Sequence, residues 1–196
     1  MAKIKYGLSN VHYAVLKDEE KLTYDTPKPI KGGVNLSLSA EGDKSTFYAD
    51  NIAYYVTQVN NGFSGDLEIA LIPDEFLTDV LGYKKSDSTG MLVEVANALP
   101  KKIALLFQFE EDTSSRRVAL YNVTVGRPAV NHATKTENID PQTDTIPITV
   151  TPVTLQDGNT VVTKATAKVG DTAYNDFYTK VTLPDDIKSE DATAEA

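Results

Sequence analysis

Residues 103–125 read IALLFQFEEDTSSRRVALYNVTV, and the fold turns on this stretch. Ile103, Leu105, Phe107 and Phe109 alternate with Ala104, Leu106 and Gln108. That is the period of two expected of a strand, in the most apolar run of the chain. A polar turn follows at Glu110-Glu111-Asp112 and the Thr/Ser residues after it. Arg116 to Val125 then runs back, and Arg127-Pro128 closes the unit. Two strand-like runs joined by a short polar turn predict a β-hairpin.

The same texture extends outward in both directions. Upstream, Leu8 to Leu16 is apolar and aromatic, and Val34, Leu36 and Leu38 share one face of an alternating run. Phe47 to Val59 is aromatic and β-branched, broken by a turn signal at Asp50-Asn51. In Asp66 to Leu71 the carboxylates of Asp66 and Glu68 face one way, and Leu67, Ile69 and Leu71 the other. Met91 to Val95 reads as a further strand. Downstream, Ile146 to Leu155 carries Pro147 and Pro152 and reads as an edge strand. Asp157-Gly158-Asn159 is a hairpin turn, Val161 to Val169 returns from it, and Asn175 to Leu183 is a last aromatic piece.

One segment has helical spacing. Phe76, Leu77, Val80 and Leu81 share a face within residues 73–82, with Pro73, Asp74 and Glu75 in the first turn and Gly82 at the end. A helix this short needs a sheet to pack on. The count is roughly ten strands and one helix, which predicts a mainly β fold: a β-sandwich or barrel with one short flanking α-helix. We read residues 1–183 as a single domain. Two polar, proline-bearing segments, residues 17–31 and 131–145, are candidate arms, the first with a short edge strand near Leu22 to Tyr24. Residues 184–196 are acidic and Ala-rich with no core pattern, and are predicted to be a disordered tail.

Composition narrows the function. The chain has 196 residues, a hydrophobic share of 41% and a net charge of −9. Such an acidic protein repels free nucleic acid and anionic membranes. No cysteine is present, which excludes disulfides, thiolate metal sites and a cysteine nucleophile. Met1 to Tyr6 is polar, and no apolar stretch suited to a signal peptide or a membrane span follows. This predicts a protein made and folded in a cytoplasm.

Catalytic patterns are missing. His12 and His132 lack the spacings a metal site uses and read as structural or solvated. No Gly-x-Ser-x-Gly elbow occurs, and Gly32-Gly33 lacks the Lys-Ser/Thr and the helix of a phosphate loop. Glu110-Glu111-Asp112 reads as a solvated turn rather than a calcium site. Asp66 and Glu68 could form a glycosidase pair, but neighbours on one strand face lie near-parallel instead of flanking a bond. Arg116-Arg117 reads as sheet surface or a subunit contact. The chain is therefore expected not to be an enzyme and to need no cofactor or metal. Its ten tyrosines suit protein interfaces and sugar platforms alike.

The order of the segments goes further. It runs from Tyr6-Gly7-Leu8 to Tyr13-Ala14, then Tyr48-Ala49-Asp50-Asn51, then Asn61-Gly62-Phe63-Ser64-Gly65-Asp66-Leu67-Glu68. Ile72-Pro73-Asp74-Glu75-Phe76 leads to Val80-Leu81-Gly82. Ala104-Leu105-Leu106-Phe107, Arg116-Arg117, Tyr121, Arg127-Pro128, Ala133-Thr134-Lys135-Thr136-Glu137 and Thr151-Pro152 complete the series. In this order and spacing the chain resembles the major tail protein (tail tube protein) family of long, flexible-tailed bacteriophages of Gram-positive bacteria. The resemblance covers roughly residues 1 to 180, and none of its pieces is a sharp motif alone.

The resemblance implies a β-sandwich or barrel subunit that assembles as hexameric rings. Rings stack into a tube around a tape-measure protein, with distal tail and tail terminator proteins as further partners. The genome leaves through it without specific binding, and no membrane is involved. It also implies a place in the virion tail. Asp66, Glu68 and Glu94 are the candidate lumen-facing acids, since carboxylates repel phosphates within a Debye length, about 8 Å at physiological salt. The alternatives are another virion β-domain, from a baseplate or a decoration protein, and a carbohydrate-binding module.

Overall fold

The structure, a computed structural model, describes residues 4–111, 114–134 and 141–184. Within them the chain folds as β1 (Lys5–Asp18), β2 (Thr23–Tyr24), β3 (Lys28–Pro29), β4 (Gly33–Glu41), β5 (Lys44–Ala49), β6 (Ile52–Gln58) and β7 (Gly62–Ile69). Helix α1 (Asp74–Asp79) follows, then β8 (Lys84–Lys85), β9 (Leu92–Val93), β10 (Ile103–Glu111), β11 (Ser115–Val125) and β12 (Asp144–Val150). The remainder is β13 (Val153–Thr154), β14 (Val161–Val162), β15 (Lys164–Lys168) and α2 (Thr172–Asn175). The fold is mainly β, with a large antiparallel sheet and two short helices.

The predicted hairpin is β10–β11, with Phe107 opposite Val118 and Glu110 opposite Ser115. It forms the middle of a sheet ordered β2-β1-β10-β11-β12-β7-β4, with β15 also on β11 and β3 on β1. The sheet curls until β4 stands against β1. A Cβ on Gly33 would sit 2.9 Å from the Val11 Cγ2 atom, so a larger residue there would have to displace the Val11 side chain. Leu67, Ile69, Ile103, Leu105, Val123, Ile146 and Val150 fill the inside together.

Helix α1 plugs one end of this barrel. Phe76 and Val80 are fully buried in the same core, and Phe76 meets the Tyr13 ring edge-on at 5.0 Å. Gly82 ends the segment at φ 75, the left-handed geometry expected of a residue just past a helix. The antiparallel registers send the turn between β10 and β11 away from the helix, in the same direction along the strands as Glu41 and Gly62. The barrel thus has a helix end and an open end.

Strand β10 is covered on both faces. Ala104 and Leu106 point outward and join Ala14, Ala119, Tyr121 and Ala167 in a second cluster. Phe177 roofs this alanine floor, with Tyr174, Tyr178, Val181 and Leu183 around it. The strap is tied down by Tyr121, whose hydroxyl donates to the Thr182 carbonyl at 3.0 Å.

Two expectations change. Residues 17–31 are not an arm: β2 and β3 pair with β1, and Leu22 and Ile30 are buried. Strand β12 is not an edge, since it lies between β11 and β7. Pro147 is tolerated there because its carbonyl and missing N–H face the β11 side, where only Gly126, past the end of β11, donates to Pro147 O. The aromatic piece at 175–183 starts at the last residue of α2 and continues as the strap over the second cluster. The second candidate arm, 131–145, falls partly outside the described residues, and its last two residues, Asp144 and Thr145, open β12. The predicted tail lies outside them apart from Pro184.

Candidate functional site

The hairpin β5–β6 gathers a run of exposed apolar side chains. It grows out of the open end from Glu41 and Gly62, continuing the β4–β7 ladder beyond the barrel. Asp50 and Asn51 form its turn at φ 51 and 57, the left-handed pair that a two-residue hairpin loop needs. Lys44 to Phe47 pair with Gln58 to Tyr55, and a register shift follows between Phe47 and Tyr48. Asn61 N to Glu41 O at 2.9 Å and Gly62 N to the Asn60 side chain at 3.0 Å fix its base.

Both faces of this hairpin are apolar. Phe47, Tyr55 and Ile52 lie on one side, and Tyr48 and Val56 on the other. Their exposures run from 48% to 66%, with Tyr54 at 71%. Every residue from Ile52 to Asn61 is exposed. Among the described residues its strands pair only with each other. An isolated two-stranded hairpin is marginal in water, and a monomer rarely shows a contiguous apolar surface of this kind without a partner for it.

The second surface is a flat polar wall. Registers align three rows across β4, β7 and β12: Asn35, Glu68 and Thr145; Ser37, Asp66 and Pro147; Ser39, Ser64 and Thr149. These side chains face away from the core. The rows hold small hydroxyl and amide groups, two carboxylates and no cation. Thr143 donates to Glu68 at 2.6 Å, and Ser64 donates to Glu41 at the top of the wall. Asp66 and Glu68 therefore share one outward face, side by side, as expected. Glu94 does not join them. It lies off this sheet, in the loop after β9, paired with Arg127.

The remaining chemically suggestive residues have structural surroundings. His12 stacks on Tyr178 at 4.4 Å, and its Nδ1 lies 2.8 Å from the Asn10 carbonyl oxygen. His132 lies in the exposed loop after β11. Arg116 pairs with Glu111 at 2.5 Å. Arg117 donates to the Tyr174 carbonyl and lies 3.9 Å from that ring's centroid, which pins the strap. Among the described residues, no three His, Asp or Glu side chains are grouped to hold a metal ion. Gly33 opens β4, so Gly32-Gly33 cradles no phosphate.

A polar clip joins α1 to the barrel. Lys28 donates to Glu75 and to Asp79, both at 2.6 Å, and Tyr13 donates to Asp79 at 3.0 Å. Burial works to raise the Asp79 pKa, but the bonds from Lys28 and Tyr13 outweigh it and hold the carboxyl below its ordinary value. The same bond to Asp79, with that to Glu75, raises Lys28. Burial, then the Asp79 bond, pushes the Tyr13 hydroxyl up. The clip borders a cavity of about 220 Å³ shared with Asp25 and Lys101. It contains no nucleophile set against a base, and its donors and acceptors satisfy one another.

Sequence reasoning located the β5–β6 turn but not its projection. The signal was there: Phe47 beside Tyr48, and Tyr54, Tyr55 and Val56 in a row, put apolar groups on both faces where a half-buried strand would alternate. No family model matches the chain, and no curated protein matches it.

Proposed function

We propose that the chain is a structural subunit of a phage tail tube, polymerising as stacked hexameric rings that form a channel for DNA delivery. The observation that carries this reading is the β5–β6 hairpin, whose two apolar faces sit in water in the lone chain. A second copy covering both faces would supply the burial that the hairpin lacks. Strand β4 meets β1 at Gly33 but has no hydrogen-bonded strand on that side among the described residues, and ring closure would shelter the edge that remains.

The polar wall of β4, β7 and β12 is the surface we assign to the lumen. Hydroxyl groups and the carboxylates of Asp66 and Glu68 would let DNA slide, with no cation to hold a phosphate. Glu94, tied to Arg127 off this sheet, is not part of that wall. The test is negative-stain electron microscopy with size-exclusion chromatography at high concentration. Hollow tubes or six-fold rings are expected. A protein that stays monomeric even with a tail initiator present refutes the reading. Exposed Tyr48, Tyr54 and Tyr55 favour a carbohydrate-binding module as the second reading, which a monomer that binds glycans would support.

A further inference from the structure

The open end of the barrel is hollow. A cavity of about 600 Å³ is walled by Leu8, Leu36, Leu38, Phe63, Phe107 and Phe109. Lys5 and Lys164 stand at its rim, the latter with its ammonium 5.0 Å from the Phe63 centroid. Neither lysine has an ion-pair partner among the described residues. A cavity of this size that sets apolar and aromatic side chains beside polar and charged ones, Asn35 and Arg116 among them, has the composition of a binding site.

A matching knob stands at the helix end. Leu71 follows β7 and is 72% exposed. Its corner is held firmly: Ala70 N donates to Gly32 O at 2.8 Å, and Ile72 N donates to the Asp144 carboxylate at 2.9 Å. Asp74, three residues on, is exposed and has no ion pair among the described residues. Strand β7 thus has Phe63 of the mouth at its start and the knob just past its end.

We infer that the cavity receives Leu71 of a second copy, with Asp74 of that copy meeting Lys164 and Lys5 at the rim. The contact rests on the tube reading and names the surfaces that join one ring to the next. The leucine meets the aliphatic and aromatic side chains of the cavity, and a carboxylate meets two ammonium groups. Mouth and knob lie at opposite ends of one chain, so the contact is heterologous. It builds an open-ended stack and not a closed pair.

The absence of native cysteine makes the test direct. The full chain carrying Leu71→Cys and Thr166→Cys, with Thr166 beside Lys164 at the mouth, is oxidised and run on a non-reducing gel. A ladder extending past the dimer is expected, with both single variants monomeric. A dimer from Thr166→Cys alone means that mouths face each other, and overturns the inference. Leu71→Asp should raise the critical concentration for polymerisation about tenfold or more. Asp74→Lys or Lys164→Glu alone should weaken assembly, and the double variant should restore it. Wild-type tubes with neither ladder nor any response to these substitutions would sink the contact and spare the tube. A ladder without tubes would do the reverse.

Discussion

Replacing Phe47 and Tyr55 by serine separates what the hairpin does for one chain from what it does between chains. The two rings face each other across β5–β6, 61% and 62% exposed. Within the chain, their loss removes a cross-strand pair worth about 0.2–1 kcal/mol, and that pair lies outside the barrel. The barrel's melting transition should therefore stay put. Between chains the sum differs. Fully covering a large apolar side chain gives about 1.5–3 kcal/mol, and about three-fifths of that remains to be gained here, or about 1–2 kcal/mol for each ring. Two rings give about 2–4 kcal/mol per subunit. At 1.4 kcal/mol per factor of ten, the critical concentration should rise roughly 30- to 700-fold. Sedimentation of polymer across a concentration series measures it, with circular dichroism melts of the unassembled chain as the control. An unchanged critical concentration would refute the argument, as would a barrel that melts early.

Three further outcomes follow from the same structure. Phe76→Ala empties the centre of the α1 contact and should destabilise the chain by about 3–5 kcal/mol, a fall of about 6–20 °C in Tm. Because the Asp79 pKa is lowered, its contribution is present above the unfolded carboxylate value near 4 and is lost as pH falls through the folded value. Stability measured from pH 6 down to pH 2 should drop through that window, and Asp79→Asn should flatten the drop. Charge reversal with Asp66→Lys and Glu68→Lys should leave tubes intact by microscopy while slowing genome ejection, and normal ejection would exclude these two acids from the lumen.

Much of the barrel was legible because period-2 alternation marks a strand with one buried face. Leu67 and Ile69 against Asp66 and Glu68 are the clearest case. Ile103 to Phe109 was legible as a strand, but its neighbours on both faces were not, since local pattern carries no information about the alanine floor and its strap. The place of β12 was misread because Pro147 signals an edge, and only the end of β11 at Val125 explains its tolerance inside. Residues 17–31 looked like an arm because polar residues and prolines dominate. Leu22 and Ile30, the two anchors that bury them, are isolated in sequence. The candidate site was half legible. Alternation placed Asp66 and Glu68 on one face, whereas Glu94 had only its charge to recommend it.

The long strands have a mechanical consequence. Strand β1 runs 14 residues, and β10 and β11 run 9 and 11, lying side by side between the two ends of the barrel. A load applied along that direction pulls on covalent backbone and loads the hydrogen-bond ladders in shear, many bonds at once. The hairpin beyond Glu41 has one ladder and, among the described residues, no neighbouring strand to share the load. Under bending, such a body stays rigid and the compliance concentrates in residues 42–61. A filament of these subunits would curve as a string of stiff beads does, by small rotations at the joints.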